Sequence, residues 1–259
     1  MSTKIILSAL SLLALLAVAR SAEAEIYTFA TEPLPPFQSE ENGKVVGPTV
    51  EILYAVCAAA GIQCRAEVMP WRRALSGAQS GQADGLVSTV DQPDRREVLY
   101  ITRPVLETAY GLFVAQDSHL NYTTPTDLVG YTLGVYGPSG TSTAAEKLAV
   151  QVADLKVSIE VTNEAALRML SGGRYGAQGA AMMNRDFALA LIRTDTTLQV
   201  KLAGEVTKVN YCIGLSRQKF SPAAYARFAA ALDGLIEAGR VKEILDRYDL
   251  TAPGEPPPR

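Results

Sequence analysis

Polar and aromatic side chains are concentrated in a few short loops of this 259-residue chain. The loops cover residues 32–37, 69–72, 88–95 and 137–142. The third loop includes Ser88, Thr89 and Arg95. In the fourth loop, small hydroxyl residues open a predicted helix, where backbone N–H groups attract an anion. The loops therefore indicate a binding site, and the fourth loop suits a carboxylate or another anionic group.

Motifs for catalysis or metal binding are scarce. The sequence contains no Gly-x-Ser-x-Gly motif and no Gly-rich phosphate loop ending in Lys. Its one histidine, His119, lies in a polar loop, and no cysteine or second histidine stands at metal-ligand spacing. We expect a binding protein without cofactor or metal rather than an enzyme, although two carboxylates could still converge in the fold.

Composition and charge place the chain among globular, exported proteins. It is 48% hydrophobic and 20% charged, with a formal net charge of -3 and no basic cluster, so we expect no nucleic-acid partner. Lys4, an apolar run and Ala22-Glu23-Ala24 predict a signal peptide over residues 1–24, cleaved after Ala24. No cysteine follows the cleavage point, so a lipid anchor is not supported. The expected location is the periplasm.

Three cysteines occur, at positions 57, 64 and 212. An exported chain reaches an oxidising compartment, and Cys57 and Cys64 flank a predicted helix end seven residues apart, which makes a local disulfide plausible. Cys212 would then remain as a buried thiol. Three free, buried cysteines are the alternative.

Strand-like and helix-like segments alternate along the chain, which predicts an α/β fold. Predicted strands cover residues 26–30, 65–69, 85–90, 109–115, 131–136, 157–161, 179–183 and 209–216. Predicted helices cover residues 50–60, 71–80, 141–152, 164–171, 185–192 and 221–248, the last with a break at Gly239. Residues 74–85 align without gaps to residues 166–177 as a helix, a glycine turn and a strand start. This weak repeat favours two related lobes over one continuous sheet.

Several short motifs follow one another along the chain. They are Pro35-Pro36-Phe37, Gly43-Lys44-Val45-Val46-Gly47, Ser80-Gly81-Gln82-Ala83-Asp84-Gly85, Pro93-Asp94-Arg95, Asp127-Leu128-Val129-Gly130 and Gly172-Gly173-Arg174. Their order and spacing resemble the extracytoplasmic solute-binding proteins of family 3, the polar amino acid receptors of ABC importers. The resemblance covers nearly all of the chain after residue 24. Cys57 and Cys64 also stand where some members of that family carry a disulfide.

The resemblance implies the type II periplasmic binding protein fold. Two lobes, each a mixed sheet flanked by helices, would be joined by two hinge strands. Lobe 1 would comprise residues 25–115 and 209–248, lobe 2 residues 116–208, and residues 249–259 would form a disordered tail. We expect hinge closure to bring Arg95 of lobe 1 towards Thr141 and Ser142 of lobe 2.

The resemblance also implies a set of ligand-binding residues. Arg95 would grip the ligand carboxylate beside Ser88 and Thr89, and the helix that opens at residues 140–142 would close over the same group. Glu32 would face the amino group or side chain, and Trp71 would form an aromatic wall. Arg95 could instead cap the following segment or pair with Asp91, Asp94 or Glu97. Trp71 and Phe37 could simply pack. The full set is Glu32, Phe37, Trp71, Ser88, Thr89, Arg95, Gly140, Thr141, Ser142 and Asn184.

Two positions depart from the family pattern. Asn184 stands where amino acid receptors carry a carboxylate that holds the ligand ammonium, and a desolvated ammonium needs an anionic partner. Asp186, two residues on, is the alternative. Leu34 replaces an aromatic residue that stacks on the ligand in many members.

The expected function is capture of a small carboxylated solute, a polar amino acid or a relative, for import through an ABC permease in the inner membrane. We expect a monomer. One alternative is a periplasmic dehydratase of the cyclohexadienyl type with Glu32 as general acid. Another is a ligand-sensing accessory subunit.

Overall fold

The computed structural model describes residues 26–254, so the predicted signal peptide lies outside the described residues. The strands are β1 (Ile26–Thr31), β2 (Ser39–Glu41), β3 (Lys44–Val46), β4 (Gln63–Val68), β5 (Gly85–Val90), β6 (Leu99–Ile101), β7 (Leu106–Ala115), β8 (Thr132–Tyr136), β9 (Lys156–Glu160), β10 (Gly179–Asn184) and β11 (Val200–Ser216). The helices are α1 (Pro48–Ala59), α2 (Trp71–Ser80), α3 (Pro93–Val98), α4 (Gly140–Gln151), α5 (Asn163–Ser171), α6 (Arg185–Thr194), α7 (Pro222–Glu237) and α8 (Arg240–Asp246). This alternation confirms the predicted α/β class.

Two groups of parallel strands are joined through a central antiparallel pair. The main sheet has the strand order β4-β1-β5-β11-β7-β10-β8-β9, and β6 pairs with the end of β11 on the edge opposite to β5. Strand β1 runs parallel to both β4 and β5, and β8 runs parallel to both β9 and β10. The long β11 pairs with β7 along its first part and with β5 from Tyr211 onwards. Strands β7 and β11 therefore connect the two groups, and the division into lobes stays a prediction.

Local capping signals set the helix boundaries. Helix α2 spans Trp71–Ser80 as predicted, and it ends at Gly81 with a φ of 73°, a left-handed conformation that glycine adopts at low cost. The Ser221 side chain accepts a hydrogen bond from the Ala224 N–H and caps α7, whose first residue is a proline. Gly239 separates α7 from α8. These predictions depended on side chains within a few residues of each helix end.

Other elements were not predicted from the sequence. Strands β2 and β3 form a hairpin around the turn at Asn42 and Gly43, and the short helix α3, which contains Arg95, is followed directly by β6. Strand β11 begins at Val200, nine residues before the predicted start at 209. Its first half alternates irregularly between polar and apolar residues, and it forms a strand because β7 supplies a pairing partner about 90 residues away in the chain.

A continuous apolar core lies between the sheet and its helices. Helix α1 packs against α7 and β4, and it contributes the fully buried Ile52, Leu53 and Val56. At the other end of the sheet, Leu133, Met182 and Met183 are fully buried beneath α5 and α6. The same cluster runs through Leu112 of β7 and Ile213 of β11. Both strand groups are therefore packed against the strands that connect them.

The cysteines adopt the arrangement that the spacing favoured. Cys57 in α1 and Cys64 in β4 form a disulfide, with their Cα atoms 6.2 Å apart. Cys212 is a buried, free cysteine in β11. The disulfide ties the last turn of α1 to the edge strand that follows it.

The C-terminal segment is packed further than predicted. Thr251 forms a β-bridge with Glu107 of β7, and Leu250 and Thr251 are buried. The packed chain therefore extends beyond the predicted tail boundary at residue 249. Between residues 26 and 254, none of the helices has both the length and the apolarity that a membrane span requires.

Candidate functional site

The loops singled out in the sequence converge on one cavity of about 60 Å³. Its walls come from both strand groups and from the connecting strands. They comprise Thr31, Glu32, Leu34, Gln38, Trp71, Ser88, Thr89, Val90, Arg95, Tyr110, Tyr136, Ser139, Gly140, Thr141, Asn163, Asn184 and Tyr211. Eight of the ten residues predicted as ligand-binding are in this set.

Arg95 brings a buried positive charge to the cavity. The loop after β5 leads into α3, which places the side chain at 3% exposure. Its Nη1 donates to Thr89 Oγ1 at 2.7 Å and to the Val90 carbonyl oxygen at 3.3 Å, while its Nε has no partner. The guanidinium carbon lies 5.2 Å from the centre of the Trp71 ring.

No carboxylate of residues 26–254 forms an ion pair with Arg95. Burial lowers the pKa of its guanidinium, yet an arginine in a protein stays protonated. The sequence alternative of pairing with Asp91 is wrong, because Asp91 binds the exposed neighbour Arg96 instead. A buried charge without a counterion is costly, so the cavity offers a strong attraction to an anion.

Glu32 supplies an acidic group to the same cavity. It follows β1 directly and is the acid among the described residues that line the cavity. Burial, and to a lesser extent the charge of Glu164, raise the pKa of its carboxyl from 4.5 to about 8. Within the described chain its carboxylate has neither a salt bridge nor a hydrogen-bond donor. The cavity thus holds one unpaired cation and one unpaired carboxyl.

The N-terminus of α4 forms part of the opposite wall. Ser139 caps the helix, because its Oγ accepts from the Ser142 N–H at 3.1 Å while the Ser142 Oγ accepts from the Ser139 N–H at 2.9 Å. This reciprocal cap uses the N–H and Oγ of Ser142. Ser139 lines the cavity and Ser142 does not, so the ligand-binding role of Ser142 stays a prediction. Gly140 and Thr141 line the cavity as predicted. The partial positive charge of the helix end adds to that of Arg95.

Phe37 is the second predicted residue that does not line the cavity. Its ring is fully buried and packs edge-on against Tyr211, with the ring centres 5.5 Å apart. The Phe37 carbonyl oxygen also accepts a hydrogen bond from Thr49 Oγ1. Phe37 therefore holds the proline-rich loop in place, which was the packing alternative.

Asn184 lines the cavity, but its polar atoms are already used. Its Oδ1 accepts from the Phe187 N–H at 3.0 Å and caps α6. Its Nδ2 donates to Thr108 Oγ1 at 3.2 Å and to the Tyr211 hydroxyl at 3.1 Å. Asp186, the alternative acid, pairs with Arg185 and is not part of the cavity wall.

Gln38 joins several of the wall residues and was missed in the sequence. It is almost fully buried, and its Nε2 donates to Thr31 Oγ1 at 3.1 Å. Its Oε1 accepts from Ser88 Oγ at 3.0 Å and from Thr49 Oγ1 at 2.8 Å. Gln38 thereby fixes the loop of Glu32 to the strand of Ser88. A lone glutamine after a loop carries no sequence pattern that would reveal this role.

Three tyrosines in the wall were also missed. Tyr110 and Tyr211 lie on β7 and β11, and Tyr136 ends β8. Burial raises the pKa values of Tyr110 and Tyr136 to about 12 and raises that of Tyr211 as well. All three hydroxyls are therefore neutral at physiological pH. Each tyrosine lies in a strand that was predicted from the sequence. Only the pairing of distant strands shows which face of each strand lines the cavity.

Two contacts connect the walls across the cavity. Arg72 of α2 donates to the carbonyl oxygen of Gly137, in the loop before α4. At Gly140, a Cβ atom would lie 2.9 Å from Val90 Cγ2 and closer still to the Tyr110 hydroxyl. Glycine therefore permits a close approach of α4 to the strands opposite.

Comparison with known proteins gives consistent results. The chain is 25% identical over 228 residues to the probable amino-acid-binding protein YxeM of Bacillus subtilis strain 168, covering 86% of this chain and 83% of that protein. The arginine-, lysine-, histidine-binding protein ArtJ of Geobacillus stearothermophilus has a similar structure, with a TM-score of 0.74, 22% identity and coverage of 89% and 97%. A histidine kinase sensor domain gives a TM-score of 0.77 at 20% identity, with coverage of 90% and 100%.

These structural likenesses confirm the predicted type II periplasmic binding protein fold. The family model described as bacterial extracellular solute-binding proteins, family 3, matches residues 27–251. The predicted resemblance is therefore confirmed, and the chain belongs to the bacterial extracellular solute-binding proteins of family 3.

Proposed function

We propose that this protein binds a zwitterionic amino acid between Arg95 and Glu32 and delivers it to an ABC permease in the inner membrane. The observation that supports this most strongly is that the Arg95 guanidinium and the Glu32 carboxyl line one cavity, Arg95 buried and Glu32 half-buried, and that neither has a counterion within residues 26–254. An amino acid carries one carboxylate and one ammonium. Its binding would neutralise both charges at once, which repays the cost of burying each.

The carboxylate end of the site is proposed to be Arg95. The Nε without a partner and the remaining Nη donor can form two parallel hydrogen bonds to a carboxylate. Ser88 and Thr89 lie on the same side, and Thr141 at the N-terminus of α4 faces them from the opposite wall. Closure of α4 over the carboxylate would add its backbone N–H groups.

The ammonium end is proposed to be Glu32 rather than position 184. Asn184 is neutral, and its side-chain amide already forms hydrogen bonds with Thr108, Tyr211 and the Phe187 N–H. Glu32 supplies an acid from the other side of the cavity. An ammonium next to it would favour the ionised carboxylate and lower its pKa again.

Delivery to a permease, a periplasmic location and a monomeric state are part of the proposal, and membership of an extracellular solute-binding family supports the first two. ArtJ binds arginine, lysine and histidine, and YxeM is named as a probable amino-acid-binding protein, which supports an amino acid as the solute. The family comprises solute-binding proteins, so the dehydratase alternative has no support. The likeness to a kinase sensor domain keeps ligand sensing as the second candidate role.

A thermal-shift screen of the purified protein against the common L-amino acids tests the proposal. The protein is first unfolded and refolded to remove any bound solute. A ligand at 100 times its Kd stabilises the folded state by about 2.7 kcal/mol, which corresponds to a shift in Tm of about 5–10 °C for a chain of this size. A shift with one or more amino acids, but none with the matching amine or carboxylate alone, is the expected result. No shift with any amino acid would overturn the proposal.

A further inference from the structure

The last described residues of the chain lie on one of the two connecting strands. After α8, Leu250 is buried in the apolar core, and its N–H donates to the Leu245 carbonyl oxygen at 3.1 Å. One residue on, the Thr251 carbonyl oxygen accepts from the Glu107 N–H of β7 at 3.0 Å. We call residues 250–254 the C-terminal strap. It ties the start of β7 to α8, which packs against α1 and α7.

The Glu107 side chain makes a second attachment to the strap. It is 13% exposed, and its Oε2 accepts from the Gly254 N–H at 3.4 Å. Its Oε1 accepts from Lys208 Nζ of β11 at 2.6 Å. One carboxylate thus joins β7, β11 and the strap. Between the attachments, Ala252 and Pro253 line a cavity of about 270 Å³, so the strap is held mainly at its ends.

Immediately after Glu107, β7 changes its partners. Thr108 Oγ1 donates to Asp186 Oδ2 at 2.7 Å and accepts from Asn184 Nδ2 at 3.2 Å. Tyr110 then pairs directly with Asn184 of β10. Along β7, contacts with the strap and contacts with the β10-β8-β9 group are therefore separated by a single residue step.

Strand β11 has a longer span between its ties to the two strand groups. Glu205 forms an ion pair with Arg185 at the start of α6, and pairing with β5 begins only at Tyr211. The register of β11 against β7 also shifts twice, between residues 202 and 204 and between residues 205 and 207. Bending of β11 can therefore spread over several residues, whereas the strap leaves β7 one place to bend.

We propose that the C-terminal strap, anchored by Glu107, fixes the pivot about which the two strand groups rotate at the step from Glu107 to Thr108. A hinge with one pivot samples fewer open arrangements than a hinge that bends anywhere along both strands. Closure over a ligand then loses less conformational entropy, so the strap increases affinity without touching the ligand. The inference goes beyond the proposed function, because the strap does not line the cavity.

Pulsed electron paramagnetic resonance tests the inference by measuring the distance between two spin labels in the refolded protein without added ligand. The labels are attached at Glu146→Cys in α4 and Arg227→Cys in α7, two exposed positions on different sides of the connecting strands. Cys212 is buried, and Cys57 and Cys64 form the disulfide, so labelling is directed to the added thiols. The width of the distance distribution reports how many open arrangements the hinge samples.

Two substitutions release the strap, and a third is the matched control. Leu250→Asp replaces the buried anchor by a charged group that prefers water, and Glu107→Ala removes the carboxylate that accepts from Gly254. Both should broaden the distance distribution by about 50% or more and raise the Kd of the bound amino acid about threefold or more. Lys208→Gln removes the ion pair with Glu107 but keeps the contact between Glu107 and the strap, so it should leave both quantities unchanged.

Several results would overturn the inference. Unchanged widths in Leu250→Asp and Glu107→Ala would do so, even if the Tm falls, because the strap would then be structural only. Equal broadening in Lys208→Gln would assign the effect to the ion pair instead, and broader distributions with an unchanged Kd would remove the link to affinity. If Leu250→Asp does not fold, Glu107→Ala is compared with Glu107→Gln, which can still accept from Gly254 and should keep most of the original width.

The distance measurement is independent of the proposed function, since it is made without ligand. Unchanged widths would contradict the role of the strap and leave the Arg95–Glu32 site as it stands. Failure of every amino acid to bind would contradict the proposed function, while the distance distributions would still decide whether the strap fixes the pivot.

Discussion

At the scale of single residues, two adjacent arginines show how burial separates a binding group from a surface group. Arg95 is buried without an acid partner, whereas Arg96 is exposed and pairs with Asp91 through two hydrogen bonds. They have the same chemistry and stand next to each other in α3. Only the direction in which α3 presents them distinguishes their roles.

We expect Arg95→Ala to weaken amino acid binding by about 100-fold or more, because the ligand carboxylate would be desolvated without its partner. Arg96→Ala is the matched control and should change the Kd by less than about twofold, since an exposed ion pair contributes little. Isothermal titration with the solute found by thermal shift measures both. Equal losses in the two variants would contradict the assignment of Arg95.

Glu32 should make both stability and binding depend on pH. Its carboxyl has a pKa of about 8 in the folded protein against 4.5 as the reference value, so the folded state binds the proton more tightly than the unfolded state does. The free energy of unfolding should therefore fall as the pH rises from about 4.5 to about 8. Affinity for a ligand ammonium should rise from pH 6 to pH 8, because the carboxyl has to lose its proton.

Glu32→Gln tests this dependence. The variant should lose less stability than the wild type between pH 5 and pH 8, as measured by urea unfolding at several pH values. Glu40→Gln, at an exposed glutamate of β2, should retain the wild-type slope. If Glu32→Gln also retains that slope, the carboxyl titrates in its usual range and does not sit in a dry site.

At the scale of elements, strands and helices place the binding groups at their ends. Arg95 follows β5, Glu32 follows β1, and Thr141 opens the helix after β8. Strands β1 and β5 are parallel and end at the same edge of the sheet, so Glu32 and Arg95 reach a common site although they are far apart in the chain. Strand β8 runs in the opposite direction, and Thr141 reaches the cavity from the other strand group. A sequence-based prediction of the site is therefore correct only where the strands and helices that carry its residues are predicted correctly.

Two glycine-to-alanine changes should have opposite effects on stability. At Gly85 in β5, a Cβ would lie 2.5 Å from Phe29 Cε1 and closer still to the Gly214 carbonyl oxygen, so Gly85→Ala should destabilise by about 1–3 kcal/mol. At Gly234 in α7, a Cβ meets nothing within 4 Å, so Gly234→Ala should stabilise by about 0.5–1 kcal/mol. Denaturant unfolding measures both. The same sign for both would contradict the packing described for β5.

At the scale of the whole molecule, the two walls of the cavity belong to different strand groups. Arg95 extends from the β4-β1-β5 group, and Gly140 and Thr141 extend from the β10-β8-β9 group. Strands β7 and β11 are the connections between them and contribute Tyr110 and Tyr211 to the floor of the cavity. Relative rotation of the groups about these strands would open and close the site.

Gly140→Ala should therefore lower the affinity for the ligand more than it lowers the stability of the folded protein. The added Cβ would contact Val90 and Tyr110 only when α4 lies against the strands opposite, as it does here. We expect the Kd to rise at least tenfold while the Tm of the ligand-free protein changes by less than about 2 °C. Calorimetric titration and thermal unfolding measure the two quantities. A large fall in Tm with unchanged affinity would show that the contact is structural and not part of closure.

The sequence by itself determined the local structure and the family. The bounds of α2, the cap of α7, the disulfide between Cys57 and Cys64 and the order of motifs that end at Arg95 all depend on residues close together in the chain. Such signals act through backbone geometry and short-range hydrogen bonds, and these differ little between a peptide and the folded protein. They sufficed to predict the α/β class and most of the residues in the cavity wall.

Only the tertiary structure decided which groups are free to bind. Asn184 lines the cavity, but its Nδ2 already donates hydrogen bonds to Thr108 and Tyr211, which lie 76 and 27 residues away in the chain. The Ser142 side chain forms part of a helix cap, and Glu32 is half-buried near Glu164 without an ion pair among the described residues. Burial and long-range hydrogen bonding arise from packing between distant elements, so residue type and spacing do not determine them.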